Sequence, residues 1–542
     1  MMLCRLILAV AATFAVASAS CAQPLVSAPV GKIQGEMDGT ARVFRGIPYA
    51  VPPVGPLRWR APEPMPRWKG VRNADNFGPA CYQPMAPAGV YTNAPAVMSE
   101  DCLYLNIWAP QDAKKAPVLV WIHGGALTGG FSHESLYNGA KMAARGVILV
   151  SINYRLGVLG FLAHPELSAE SPLKTSGNYG LLDQIEALRW VQRNIAAFGG
   201  DPSNVTIAGE SAGGLSVMYL MAAPAARGLF AKAIAESAYM ISMPALKERA
   251  NGTPSAEETG MTVMTKLHAH SIADLRALNG AAMTVLASAV GYAPWMTVDG
   301  QIIPHQLADT FDRGEQAPVP LLAGFNSGEI RSLRVLAPPA PATAADYEKA
   351  IRAKYADLAD EFLRLYPSAD YAESILKTTR DGLYGWTAER LARKQTGLGQ
   401  PAYLYLFDHG YPDEEAANLH GFHGSELPYV FGTLDRTIPL WPKIPAMQVE
   451  SDLSDAMLDY WTSFARTGQP TAKNAPAWPA YGTTAAYMDI ADSPHPAQHL
   501  MPGMYALNEQ VVCRRRAGGD QPWGWNVGLA SPPLPPATAH CQ

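Results

Sequence analysis

The run Gly209-Glu210-Ser211-Ala212-Gly213 places a serine hydroxyl between two glycines, the arrangement that an activated nucleophile needs where the backbone passes close by. A serine attacks a carbonyl only when a base takes its proton and donors await the oxyanion that forms. In a chain with 47 glycines, a G-x-S-x-G match arises by chance on the order of 0.2 times, so its surroundings must carry the weight. They are the apolar run Val205 to Ala208 before it and the helical run Leu215 to Leu220 after it. Strand, sharp turn and helix in that order force the middle residue into a strained, exposed position, so Ser211 is expected to project from a helix N-terminus. Upstream, Ile122 leads into His123-Gly124-Gly125-Ala126. A Gly-rich loop after a strand turns N–H groups outward, which makes Gly125, Ala126 and Ala212 the candidate oxyanion-hole donors.

The elements that must position these groups are also readable. Pro117 to Ile122, Val147 to Ile152, Val205 to Ala208 and Pro320 to Ala323 are short, almost wholly apolar runs, as in parallel strands covered on both faces. Between them Leu182, Ile185, Leu188, Val191, Ile195 and Phe198 recur at steps of three and four, one apolar stripe of a helix. Gly199-Gly200 should end that helix, and Asp201-Pro202 should turn the chain toward the next strand. Alternating buried strands and amphipathic helices predict an α/β fold with a large, mostly parallel central sheet.

Composition is compatible with such a core: of 542 residues, 48% are hydrophobic and 16% charged. With 42 Lys+Arg against 47 Asp+Glu there is no basic excess for nucleic acid, the one dense basic run being Arg514-Arg515-Arg516. The start reads as a signal peptide over residues 1–22: Arg5, a hydrophobic run from Leu6 to Val16 broken only by Thr13, and small residues that allow cleavage after Ala19 or Ala22. No later stretch reaches the ~20 apolar residues of a transmembrane helix, so a soluble protein, periplasmic or secreted, is expected. Cysteine spacing agrees with export, pairing Cys81 with Cys102 and Cys513 with Cys541 and leaving Cys21 either removed or, on cleavage just before it, lipidated. Residues 23–542 read as one domain whose tail, from about residue 505, is closed by the second disulfide around the Pro-rich segment 531–536. Nothing in the sequence specifies an oligomeric state.

Further stretches carry a resemblance. They are Phe44 to Ala50, Ser99 to Asn106, Asn153 to Gly157, Gly177 to Gln184, the serine turn, and Trp461 with Phe464 to Gly468. In this order the chain resembles the type-B carboxylesterases of the α/β-hydrolase superfamily, which include the cholinesterases. The resemblance runs from about residue 25 to about 485 and implies ester hydrolysis without metal or cofactor, on a small-molecule ester. It implies Glu329, after the turn Gly324-Phe325-Asn326, as the acidic triad member, and His423, in His423-Gly424-Ser425-Glu426-Leu427, as the base. The order Ser, Glu, His is that of α/β-hydrolases. Glu426 and His420 are the competing acid and base. Glu210 and Ser237 are expected to support the site, although Glu236-Ser237-Ala238 stands where the family usually reads Gln-Ser-Gly. The resemblance also implies Cys81–Cys102 as a disulfide beside the active-site gorge, worth roughly 3 kcal/mol through loop entropy, and ion pairs Arg45–Glu100 and Arg155–Asp183 in the scaffold.

Two features bear on substrate. Cholinesterases hold a quaternary ammonium over an indole in the first disulfide loop; here that loop carries Tyr82 and Tyr91 but no Trp, which argues against choline esters. Arg331 and Arg334 follow Glu329 where the family usually has small or apolar residues; they predict either scaffold salt bridges or recognition of carboxylate-bearing esters. An amidase or lipase using the same groups, or a binding protein on the same fold, are the alternatives.

Overall fold

The computed structural model of the protein describes residues 23–85, 89–91, 93–524 and 528–541. The expected signal peptide through Ala22, including Cys21, lies outside the described residues. Eleven strands form one sheet: β1 Glu36–Asp38, β2 Ala41–Pro48, β3 Tyr104–Pro110, β4 Ala116–Ile122, β5 Ile148–Ile152, β6 Gly200–Glu210, β7 Lys232–Glu236, β8 Leu321–Asn326, β9 Ala402–Phe407, β10 Ala486–Ile490 and β11 Pro494–Gln498. The spatial order is β1-β2-β3-β5-β4-β6-β7-β8-β9-β10-β11. Every pair from β5 through β10 is parallel, and antiparallel pairs close both edges. This is the expected α/β-hydrolase architecture.

The apolar runs are apolar because both faces of the sheet are covered. In β4, Val118, Val120 and Ile122 enter one core with α1 (Tyr179–Asn194) and α2 (Ala212–Ala222). Leu119 and Trp121 enter the opposite core. There they meet α3 (Leu427–Phe431) and α4 (Gln448–Thr467). The predicted stripe is met by α1 and the tight 3-10 turn Ile195–Phe198 that continues it, capped by Gly199 at φ 89°. Asp201-Pro202 forms a local turn, with Asp201 Oδ1 accepting the Ser203 N–H at 2.9 Å, but inside the next strand and not ahead of it. Gly199 has already reversed the chain, and both residues lie in β6, which pairs with β4 at Gly200 and again from Val205 after a shift in register. Pro202 has no N–H to give to the ladder, a physical reason for the interruption.

Both expected disulfides, Cys81–Cys102 and Cys513–Cys541, are present. Cys513 lies in the helix Met504–Ala517. The tail packs onto the body, Leu534 N–H donating to Lys354 O at 2.7 Å. Two arginines of the basic run are engaged in ion pairs, Arg514 with Asp357 and Arg516 with Asp309 and Asp312.

One expected ion pair is present and the other is not. Arg155 Nε and Nη2 meet Asp183 Oδ2 and Oδ1 at 2.8 and 2.7 Å, fully buried, and tie the loop after β5 to α1. Glu100 pairs with Arg58 rather than Arg45, in a two-pronged contact at 2.5 and 2.8 Å. Arg45 turns instead to Glu36 and lies over the Phe77 ring. The ladder explains the exchange: Glu36 stands opposite Val43 in the β1–β2 pair, so Arg45, two residues along, is its diagonal neighbour. Breaking the buried pair should be costly, because the surviving charge has no water to return to. Asp183→Ala is expected to lower stability by about 3–5 kcal/mol, read as a fall in the urea unfolding midpoint; a midpoint equal to wild type would refute that role.

Candidate active site

Ser211 sits between β6 and α2 with φ 57° and ψ −122°, a region L-residues rarely adopt. Its N–H donates to Glu236 O at 3.0 Å, which fixes the turn to the neighbouring strand β7. Both glycines of the motif are demanded by contact: a Cβ on Gly213 would stand 2.0 Å from Ile122 O, and one on Gly209 2.5 Å from Gly213 C. Any side chain at either position would push β6 and α2 off the end of β4.

The His123 loop closes on this turn. A Cβ on Gly124 would lie 3.1 Å from Ser211 Cβ, so the loop runs directly against the serine. Gly125, Ala126 and Leu127 all have positive φ, at 100°, 53° and 59°. The N–H groups of Thr128 and Gly129 both donate to Gly125 O at 2.9 Å, curling the loop on itself. Among the described residues no carbonyl accepts from the N–H of Gly125, Ala126 or Ala212. Three donors thus stay uncommitted beside a serine, a ready cradle for a developing oxyanion. His123 is buried and stacked on Tyr154, with centroids 4.6 Å apart. Burial lowers its imidazole to about 4, so it adds no charge there at neutral pH.

Glu329 and His423 arrive from further along the sheet. Glu329 opens the short helix Glu329–Ser332 just after β8, and its Oε1 accepts the Asn326 N–H at 2.9 Å. Its Oε2 engages His423 Nδ1. The other ring nitrogen, Nε2, stands 3.0 Å from Glu210 Oε1, yet that oxygen has no aligned hydrogen bond, so any proton on Nε2 points off the carboxylate. Burial pulls the imidazole down, but Glu210 and then Glu329 outweigh it and raise it to about 9. Burial in turn holds the Glu210 carboxyl above the ordinary range, against the pull of His423.

The competing assignments are engaged elsewhere. Glu426 accepts from Asn326 Nδ2 at 2.5 Å, and burial raises its carboxyl well above the ordinary range. His420 is half exposed and held by Asp408 and Glu415. Glu236, paired in register with Glu210, is fully buried and accepts from Trp461 Nε1 at 2.8 Å.

A match to the family model described as "Carboxylesterase family" covers residues 22–506. The chain belongs to the carboxylesterase family. It is 38% identical to the para-nitrobenzyl esterase of Bacillus subtilis (strain 168), over 86% of this chain and 95% of that protein. It is 34% identical to the fumonisin B1 esterase of Sphingopyxis macrogoltabida, over 83% of each. Among solved structures, a thermophilic PNB esterase superposes with a TM-score of 0.77 at 33% identity, covering 90% of this chain and 99% of that one.

As a carboxylesterase, this protein is a carboxylic-ester hydrolase, and three further residues singled out in the sequence are found as follows. Ser237 has φ 45°, is fully buried, and its Oγ has no partner among the described residues. Arg331 is committed to the scaffold: Nη1 and Nη2 donate to Asn418 Oδ1 and Glu373 Oε2, both at 2.8 Å. Its guanidinium is already neutralised, which removes it from the expected pair of carboxylate-binding arginines. Arg334 is exposed and forms no ion pair among the described residues.

Two aromatic residues beside His423 have no motif to announce them. Tyr384 lies on the ring at 5.3 Å between centroids and belongs to a π-turn, Asp381–Gly385. Tyr91 meets it edge-on at 6.3 Å. Removing the carboxylate nearest Nε2 should make His423 easier to deprotonate, since the imidazolium loses an opposite charge. Glu210→Gln is expected to lower the His423 titration by about 1 unit or more, followed by imidazole NMR of histidine-labelled protein; an unmoved or raised value would show that Glu210 does not set it.

Proposed function

We propose that the protein hydrolyses carboxylic esters by two-step acyl transfer on Ser211. His423 takes the Ser211 proton as the hydroxyl attacks the ester carbonyl, and the N–H groups of Gly125, Ala126 and Ala212 bind the oxyanion. The imidazolium then protonates the leaving alcohol, water attacks the acyl-enzyme with His423 again as base, and Glu329 holds the ring throughout. Every proton moves between the chain's own groups, the ester and water. The observation that carries this reading is the engagement of His423 Nδ1 by Glu329, which leaves Nε2, beside the Glu210-Ser211 turn, as the nitrogen that exchanges a proton. Residues 23–542 act in it as one hydrolase unit. The leader-like start and two disulfides support export to an oxidising compartment.

Ser211→Ala is expected to abolish turnover of an aryl ester, by at least about 10³-fold, while leaving the far-UV circular dichroism and melting temperature at wild-type values. Near wild-type turnover in that variant would end the proposal. Wild-type enzyme should turn over the ester far faster than the matching anilide, and the reverse ranking would point to an amidase.

A second reading concerns specificity. Arg334 is exposed two residues beyond Ser332, which ends the Glu329 helix, so its charge is open to a substrate carboxylate near the site. A carboxylate-bearing ester should then show higher kcat/KM than its neutral analogue, with the preference lost in Arg334→Ala. Equal values for the two esters in wild type would dismiss it.

A further inference from the structure

The loop between Cys81 and Cys102 sends one side chain into the partnership of His423 and Glu329. Tyr91 Oη stands 2.7 Å from the backbone carbonyl of His423 and 2.6 Å from Ser332 Oγ. A phenol has one proton to donate, and a carbonyl can only accept, so the proton goes to His423 O and the hydroxyl of Ser332 donates to Tyr91. Ser332 is the last residue of the four-residue helix that Glu329 begins. One hydroxyl therefore joins the loop carrying the histidine to the helix carrying its carboxylate. The ring is also packed edge-on against Trp441, with centroids 6.4 Å apart, and tilted against Phe422 at the same distance.

The latch has an anchor. Cys81 and Cys102 are buried and bridged, and Cys81 lies in a two-residue strand, Ala80–Cys81, paired with Met98–Ser99. The base of the loop is thus doubly tied to the scaffold. Gln83 fastens it again: its Nε2 donates to Gly130 O at 3.0 Å and its Oε1 accepts the Gly130 N–H at 2.9 Å, just past the Gly-rich loop beside Ser211. The same disulfide loop touches the segments that carry the oxyanion donors, the histidine and the glutamate.

We infer that Tyr91 is a positioning residue for the Glu329–His423 pair, and that the Cys81–Cys102 loop acts through it to keep the imidazole in register with Ser211. The inference rests on the reading of His423 as the base. A misplacement of about 1 Å at a reacting group costs up to roughly 10²-fold in rate, whereas a latch outside the substrate contacts leaves binding largely alone. Tyr91 is 36% exposed, so removing its hydroxyl strands no deeply buried group on the tyrosine side.

The test is a kinetic cycle on the full chain with an aryl ester, with active sites counted by an organophosphonate. Tyr91→Phe is expected to lower kcat roughly 10-fold with KM within about twofold and the count of active sites unchanged. Ser332→Ala, which leaves Tyr91 in place, should lower kcat by about threefold and add nothing on top of Tyr91→Phe. Removing the disulfide (Cys81→Ser with Cys102→Ser) should likewise cost less in the Tyr91→Phe background than alone. Wild-type kcat in Tyr91→Phe, a loss explained by fewer active sites, or strictly additive losses would each overturn the inference. His423→Ala separates the two readings: if it is inactive while Tyr91→Phe is silent, only the latch fails, and if it keeps wild-type turnover the assignment of the base fails first.

Discussion

Ser211 is held at φ 57° and ψ −122° by a packing constraint that nothing nearby can relax. Conformations of this kind cost on the order of 1–3 kcal/mol and persist only where the surroundings over-determine them. Here the end of β4 does so, because Gly213 and Gly209 fit against Ile122 and each other with no space for a Cβ, and Glu236 O takes the Ser211 N–H. The reward is geometric. The hydroxyl stands at the N-terminus of α2, against a second strained loop in which the N–H groups of Gly125 and Ala126 have no carbonyl acceptor among the described residues. Both strained segments follow neighbouring parallel strands, so the sheet sets their spacing and side-chain packing only refines it.

The same sheet brings the remaining groups together. Ser211 follows β6, Glu329 follows β8 and His423 lies in the loop beyond β9, all past the C-terminal ends of parallel strands where open α/β sheets place their crevice. The consequence is electrostatic crowding. Glu210 and Glu329 face His423, Glu236 and Glu426 are buried with them, and burial joined by repulsion among these carboxyls raises Glu210, Glu236 and Glu426 above the ordinary carboxylate range. The histidine is the natural recipient of a proton in such a set, which is why its imidazole is raised although burial alone would lower it. A base held this way stays protonated until the pH passes its raised value, so the neutral imidazole that accepts the serine proton gains population as pH rises toward about 9.

Much of this was legible in the residues. Apolar runs such as Pro117 to Ile122 located strands of the parallel sheet, and the stripe from Leu182 to Phe198 located α1, because buried strands and one-sided helices have no other way to satisfy their surroundings. The turn at Ser211 was legible because only glycine fits beside Ile122. What could not be read depends on contacts between distant segments. Arg45 found Glu36 across a hairpin and left Glu100 to Arg58, a choice set by strand register. Arg331 was drawn to Glu373, on the helix Tyr371–Arg380, and to Asn418, in a turn, partners 42 and 87 residues away with no recognisable signal. Tyr91 and Tyr384 flank His423 from a disulfide loop and a π-turn; the cysteines announced the loop, but no residue pattern announced that Tyr91 or the π-turn would meet the histidine ring.

The most direct measurement of the central claim is covalent labelling by an organophosphonate, followed by peptide mapping and by the rate of labelling in His423→Ala. The expected result is a single adduct on Ser211 in wild type, formed at least about 10³-fold more slowly once the histidine is gone. An adduct on a different residue, or labelling of Ser211 at the wild-type rate without His423, would contradict the account.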